Sequence, residues 1–91
     1  MSTKEKIKEL LNPKEDLSQK HEIILFNDDV NTFDFVIDAL MDICEHDLIQ
    51  AEQCTMLVHY KGKATVKTGS FTDLKPRCSK LLQKGLSAEL V

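Results

Sequence analysis

The sequence predicts an α+β fold in which one small three-stranded sheet is covered by helices. Three observations carry that expectation. Two segments repeat apolar residues at spacings of three and four, a third adds a shorter run of the same kind, and three short β-type runs lie around them. The order that results is β-α-α-β-α-β, and composition and length suit one domain. The chain has 91 residues, 42% of them apolar, enough for a single modest core.

Residues 1–20 are charged, with an apolar pair at Leu10–Leu11 and a break at Asn12–Pro13. They read as a mobile N-terminal extension, able to form a short helix from Thr3 to Leu11, ahead of a core domain over 21–91. The first strand is HEIILF, residues 21–26, an apolar run closed by the polar cluster NDD. A helix is expected over about 32–45, where Phe33, Val36, Ile37, Leu40, Ile43 and Cys44 share a face. Asn31 is its expected N-cap, with Asp34 as the reciprocal partner.

The second helix starts after Asp47, with Gln50 three residues on, and runs to about Tyr60. Leu48, Ala51, Cys54, Leu57 and Val58 mark its expected buried stripe, and Gly62 ends it. KATVKT, residues 63–68, alternates as a strand does, and Gly69–Ser70 turns the chain. A third helix is expected over about 73–84, with Pro76 in its first turn and Leu74, Cys78, Leu81 and Leu82 buried. It stops at Gly85, and LSAELV closes the chain as a strand. Periodicity leaves the strand directions open between mixed and antiparallel.

Several function classes are excluded by composition and spacing. Twelve basic and fifteen acidic residues give a net charge of −3, which argues against phosphate-backbone binding. No run approaches the roughly 18 apolar residues of a membrane span. MSTKEKIKELL lacks a signal-peptide core, so a cytoplasmic protein is expected. Cys44, Cys54 and Cys78 are widely spaced, with no CxxC pair, and read as small buried hydrophobes. An EF-hand register from Asp29 would need an oxygen ligand where Phe33 stands, Gly where Asp34 stands and Glu where Leu40 stands. Neither a metal nor a cofactor is therefore expected. Asp28 or Asp29 with His59 could in principle move protons, yet no nucleophile elbow or glycine-rich oxyanion loop accompanies them. An enzyme is not expected.

What remains is the stretch FNDDVNTFDF, residues 26–35, where three carboxylates and two amides sit among three phenylalanines. Asn27, Asp28, Asp29 and Asn31 could be turn and cap residues alone, and Phe33 and Val36 core. A second reading brings Asp28 to the end of the second helix, where His59 lies. A primary ammonium donates three hydrogen bonds, and a carboxylate, an amide oxygen and a neutral imidazole nitrogen would accept them. Phe33, Val36 and Val58 would then wall an apolar hollow beside the amine.

ILFNDDVNTFDFVIDALM followed by QAEQCTMLVHYKGKA resembles the ClpS family over about residues 21–72. That family's pattern runs NDD-x-T-P-M-x-FV and later V-H-x-x-G-x-A. The resemblance implies a three-stranded antiparallel sheet. It also implies a monomeric, non-catalytic adaptor that brings N-degron proteins to a Clp AAA+ unfoldase of the ClpA or ClpC type. It assigns Asn27, Asp28 and His59 to the substrate's α-amino group, Val36 and Val58 to the side-chain pocket, and Asp29 to its rim. Asn31, Thr32 and Phe33 stand where the family has Thr-Pro-Met, and Thr55 where it has a second pocket methionine. The expected consequences are an altered first-residue preference at Phe33 and a wider, more polar wall at Thr55. Either Leu86 or Ala88 takes the place of a pocket leucine. The last helix is shorter than the family's, and a module of the same fold with a different ligand is the alternative.

Overall fold

The computed structural model describes residues 20–91; the extension expected over 1–20, with its short helix, lies outside the described residues except for Lys20. The elements are β1 (His21–Phe26), α1 (Phe33–Ile43), α2 (Leu48–Lys61), β2 (Lys63–Gly69), α3 (Phe71–Gln83) and β3 (Ser87–Leu90). The sheet order is β2-β1-β3, with both pairings antiparallel. That settles the direction left open by periodicity.

Central β1 is the apolar strand because it has neighbours on both edges. Ile23 and Leu25 point to one face and are fully buried, as a two-residue period requires. They meet Ala39, Leu40 and Ile43 of α1, Ala51 and Val58 of α2, and Leu74, Cys78 and Leu81 of α3 in one core. Cys44 and Cys78 are buried and Cys54 half-buried, all as free thiols. Burial pushes the Cys44 thiol up to about 11, so it packs as a neutral hydrophobe.

Four expected details are corrected. The N-cap of α1 is Thr32, whose Oγ1 accepts from Phe35 N at 3.1 Å; Asn31 is drawn off by other partners. In α2 the buried stripe is Ala51, Thr55 and Val58, whereas Leu48 and Leu57 are about half exposed. Thr55 tolerates burial because its hydroxyl donates to Ala51 O at 2.8 Å on the preceding turn. Pro76 is not in a first turn: α3 begins at Phe71, capped by Ser70, and Pro76 lies inside it. Leu82 is exposed, because Leu74, Cys78 and Leu81 already define the inward face.

Two local devices fix the ends of the helices that matter below. Cap residue Gly62 sits at φ 89°, a left-handed conformation that favours glycine, and its N–H bonds Val58 O. At the other helix end, Gly85 N donates to Leu82 O at 3.0 Å and Leu86 N to Leu81 O at 3.1 Å. This is the Schellman pattern, and it brings Leu86 back onto Leu81 in the core.

Candidate functional site

Where β1 ends, Asn27 N donates to Gly62 O at 2.9 Å. That bond draws the β1–α1 loop against the C-terminal turn of α2, which carries His59. Asp28 then folds the loop on itself. Its Oδ1 accepts from Val30 N at 2.9 Å and Asn31 N at 2.8 Å, and its Oδ2 from Asn31 Nδ2 at 3.0 Å. The Asn31 backbone and side-chain bonds, with a smaller contribution from Val30 N, hold the Asp28 carboxyl below its usual range; partial burial opposes them. The loop therefore presents a carboxylate that stays ionised, with three of its roughly four acceptor directions already used.

Asn31 reaches further. Its Nδ2 also donates to Gly85 O at 3.1 Å, tying the loop to the α3–β3 turn. Thr32 caps α1, and Phe33 opens that helix with its ring edge-on to His59.

The result is a cavity of about 260 Å³ between the loop, α1, α2 and the α3–β3 turn. Asn27, Asp28 and His59 line it, and so do Asp29, Asn31 and Thr32. Phe33, Val36, Thr55 and Val58 complete the set named from sequence: all ten residues meet at one hollow. Of the two C-terminal candidates, Leu86 lines the cavity and Ala88 does not; Ala88 sits within β3 opposite Leu25. Leu25 and Phe26 also line it and were not anticipated. Leu25 signalled only membership of an apolar strand, which reads as core, and Phe26 added only its place at the head of FNDDVNTFDF.

The lining is chemically divided. Oxygen and nitrogen groups come from the loop and the end of α2, whereas Leu25, Val36, Val58 and Leu86 supply hydrocarbon. The wall at Thr55 is less polar than its residue type suggests, since the hydroxyl proton is committed to Ala51 O. Among the described residues, no group of three or more His, Cys, Asp or Glu side chains is arranged to hold a metal ion. No described helix is long and apolar enough to cross a membrane.

A charged loop joined to an apolar hollow on a small α+β scaffold makes this cavity the candidate binding site of the domain. The family model for the ATP-dependent Clp protease adaptor protein ClpS matches residues 16–89, and the chain belongs to the ClpS family. It is 38% identical over 60 residues to the ATP-dependent Clp protease adapter protein ClpS of Escherichia coli O1:K1 / APEC. The same figures hold for the protein of that name from Shigella boydii serotype 18. In each case the match covers 66% of this chain and 53% of the relative, so the chain matches about half the length of these curated relatives. Among solved structures, Agrobacterium tumefaciens ClpS2 bound to L-phenylalaninamide is similar in fold. The TM-score is 0.76 at 18% identity, over 80% of this chain and 95% of that one.

Proposed function

We propose that this chain is a non-catalytic adaptor. It holds the free α-amine and bulky hydrophobic first residue of N-degron proteins in the cavity and passes them to a Clp AAA+ unfoldase of the ClpA or ClpC type. The observation that carries this reading is the mixed lining, in which ionised Asp28, Asn27 and His59 share one cavity with Val36, Val58 and Leu86. A protein N-terminus has the same mixture, an ammonium next to its first side chain. A relative described as bound to L-phenylalaninamide, a free amine beside a ring, supports the same chemistry.

The magnitudes are adequate. Charge-assisted hydrogen bonds contribute about 1.5–3 kcal/mol each, and burial of a Leu or Phe side chain about as much. Two or three bonds and one side chain give roughly 6–12 kcal/mol; after association costs of at least about 4 kcal/mol, at most about 8 kcal/mol is left, so micromolar binding is the tight limit. Asp28 keeps one acceptor direction for the amine and supplies its charge, while Asn27 and His59 offer further polar contacts. Binding and delivery need no bond to be made or broken, and the expected setting is the cytoplasm.

Fluorescence anisotropy with a Leu- or Phe-starting peptide tests the reading. Tight binding of the free peptide, and loss of binding on N-acetylation, is the expected result. Equal binding of both forms would exclude an amine site. The alternative, a module of this fold with another ligand, draws on Phe33 at the cavity. A peptide array varying the first residue separates the two, since that module would show no preference for bulky hydrophobic first residues.

A further inference from the structure

We propose that Asn31 is a positioning residue, whose side-chain amide braces Asp28 against the carbonyl of Gly85 and so holds the amine half of the cavity in register with its apolar half. This rests on the amine-site reading above and assigns Asn31 a part distinct from ligand contact.

The chemistry of the three groups fixes the arrangement. An ionised carboxylate only accepts, and so does a backbone carbonyl. Between them stands one NH₂ group with two hydrogens, at 3.0 Å from Asp28 Oδ2 and 3.1 Å from Gly85 O. Both partners demand a donor, so the amide has a single satisfactory orientation. A hydroxyl at this position could serve one of them, and a carboxylate neither.

The two partners belong to different parts of the site. Asp28 is the carboxylate that the loop folds around, and its Oδ1 is already committed to Val30 N and Asn31 N. Gly85 immediately precedes Leu86, which is buried and lines the apolar side. Asn31 and Gly85 are 54 residues apart in sequence, so this one side chain joins segments that the intervening chain leaves to their own geometry. The brace also explains why Asn31 gives up the helix cap to Thr32.

The brace acts on charge as well as position. The Asn31 backbone and side-chain bonds are the two largest influences holding the Asp28 carboxyl below its usual range. The other titratable groups lining the cavity are Asp29 of the same loop and His59 of α2; α1 and the α3–β3 turn bring no ionisable side chain to the lining. Loss of the amide should therefore appear in the titration of Asp28 itself.

The test uses the full chain and the Asn31→Ala variant, with a free-amine Phe-starting peptide as probe. Carbon-13 NMR of the Asp28 carboxyl in the ligand-free protein is expected to show its pKa rising in the variant. Peptide affinity is expected to fall by about tenfold, with the acid limb of the affinity profile moving to higher pH. In an Asp28→Asn background the same substitution should cost less than about twofold, because its partner is already changed. An unmoved Asp28 titration overturns the brace whether or not affinity falls, since a fall alone would reflect general loosening. If the wild-type chain binds neither free nor acetylated peptide, the amine-site reading falls, and the Asp28 titration still decides the brace.

Discussion

The ring of Phe33 stands edge-on to the imidazole of His59, with centroids 5.2 Å apart and planes at 72°. Phe33 opens α1 and His59 lies in the last turn of α2, so one aromatic contact joins the two helix ends that flank the cavity. Tyr60 meets the same imidazole from another side at 5.3 Å. Among the described residues no hydrogen bond holds the His59 ring. Two neighbouring rings orient it, and it stays open to solvent.

Phe33→Ala should therefore weaken ligand binding more than it weakens the fold. An aromatic pair contributes about 0.5–1.5 kcal/mol beyond area burial, which bounds the loss of orientation at roughly tenfold in affinity. Phe33 is 40% exposed, so the stability cost should be small. Anisotropy and urea unfolding on the same preparations check this. Unchanged affinity would mean the ring does not shape the site.

Asp28 both holds the loop and lines the cavity, and two substitutions separate the parts. Asp28→Ala removes the acceptor of Val30 N and Asn31 N, so it should loosen the loop as well as the site. Asp28→Asn keeps an oxygen for those amides, loses the charge, and sets one NH₂ group against another at Asn31. Binding should fall more than tenfold in both, on the scale of a charge-assisted hydrogen bond. The Ala variant should be the less stable by about 1 kcal/mol in urea unfolding. Equal stabilities would show that the turn does not depend on the carboxylate oxygen.

The same distinction explains what was legible from sequence. The order of elements follows from apolar spacing, and Ile23, Leu25, Leu40 and Leu74 land in the core where that spacing puts them. The α1 cap fell to Thr32 and not to the expected Asn31, both being good capping residues. The deciding contact is with Gly85, which no local window contains. Thr55 was missed as core because a hydroxyl counts as polar until its bond to Ala51 O is seen. Leu86 and Ala88 were indistinguishable by hydrophobicity; the helix-ending hydrogen bonds at Gly85 and Leu86 separate them. The ten candidate residues line one cavity because they border two helix ends and one loop; several of them, Thr55 among them, were named only through the resemblance to the ClpS family.

His46 offers a test of the sheet. Ile23 pairs with Lys67 and Ile24 with Thr65, so Val66 is the extra residue of a β-bulge. The Val66 carbonyl is bound by His46 Nε2 at 2.6 Å, and since a carbonyl only accepts, Nε2 carries the hydrogen. The other ring nitrogen, Nδ1, is buried without a partner. His46→Leu removes the donor and that unpartnered atom together, and the orphaned carbonyl should cost about 1–3 kcal/mol. His46→Gln, which can keep a donor, should cost less. Urea unfolding gives the ranking, and a Leu variant as stable as the wild type would mean that the bulge holds itself.

Pro76 is the place where this fold works against its own local preference. It is the sixth residue of α3, exposed, with no N–H to offer the carbonyl of Thr72 one turn back. Its neighbours carry the helix: Ser70 caps it through Asp73 N, and Leu74, Cys78 and Leu81 anchor it to the core. Arg77 braces it further, donating to Ile43 O at 2.6 Å and pairing with Asp73 at 3.1 Å. Tertiary packing thus overrides a residue that costs about 3 kcal/mol relative to alanine inside an isolated helix. Part of that cost is offset because proline also restricts the unfolded chain. Pro76→Ala should restore the missing bond and raise stability by about 1–3 kcal/mol in urea unfolding, with peptide affinity unchanged because the residue lies outside the cavity lining. A loss of stability would show that the ring's own packing outweighs the hydrogen bond it forgoes.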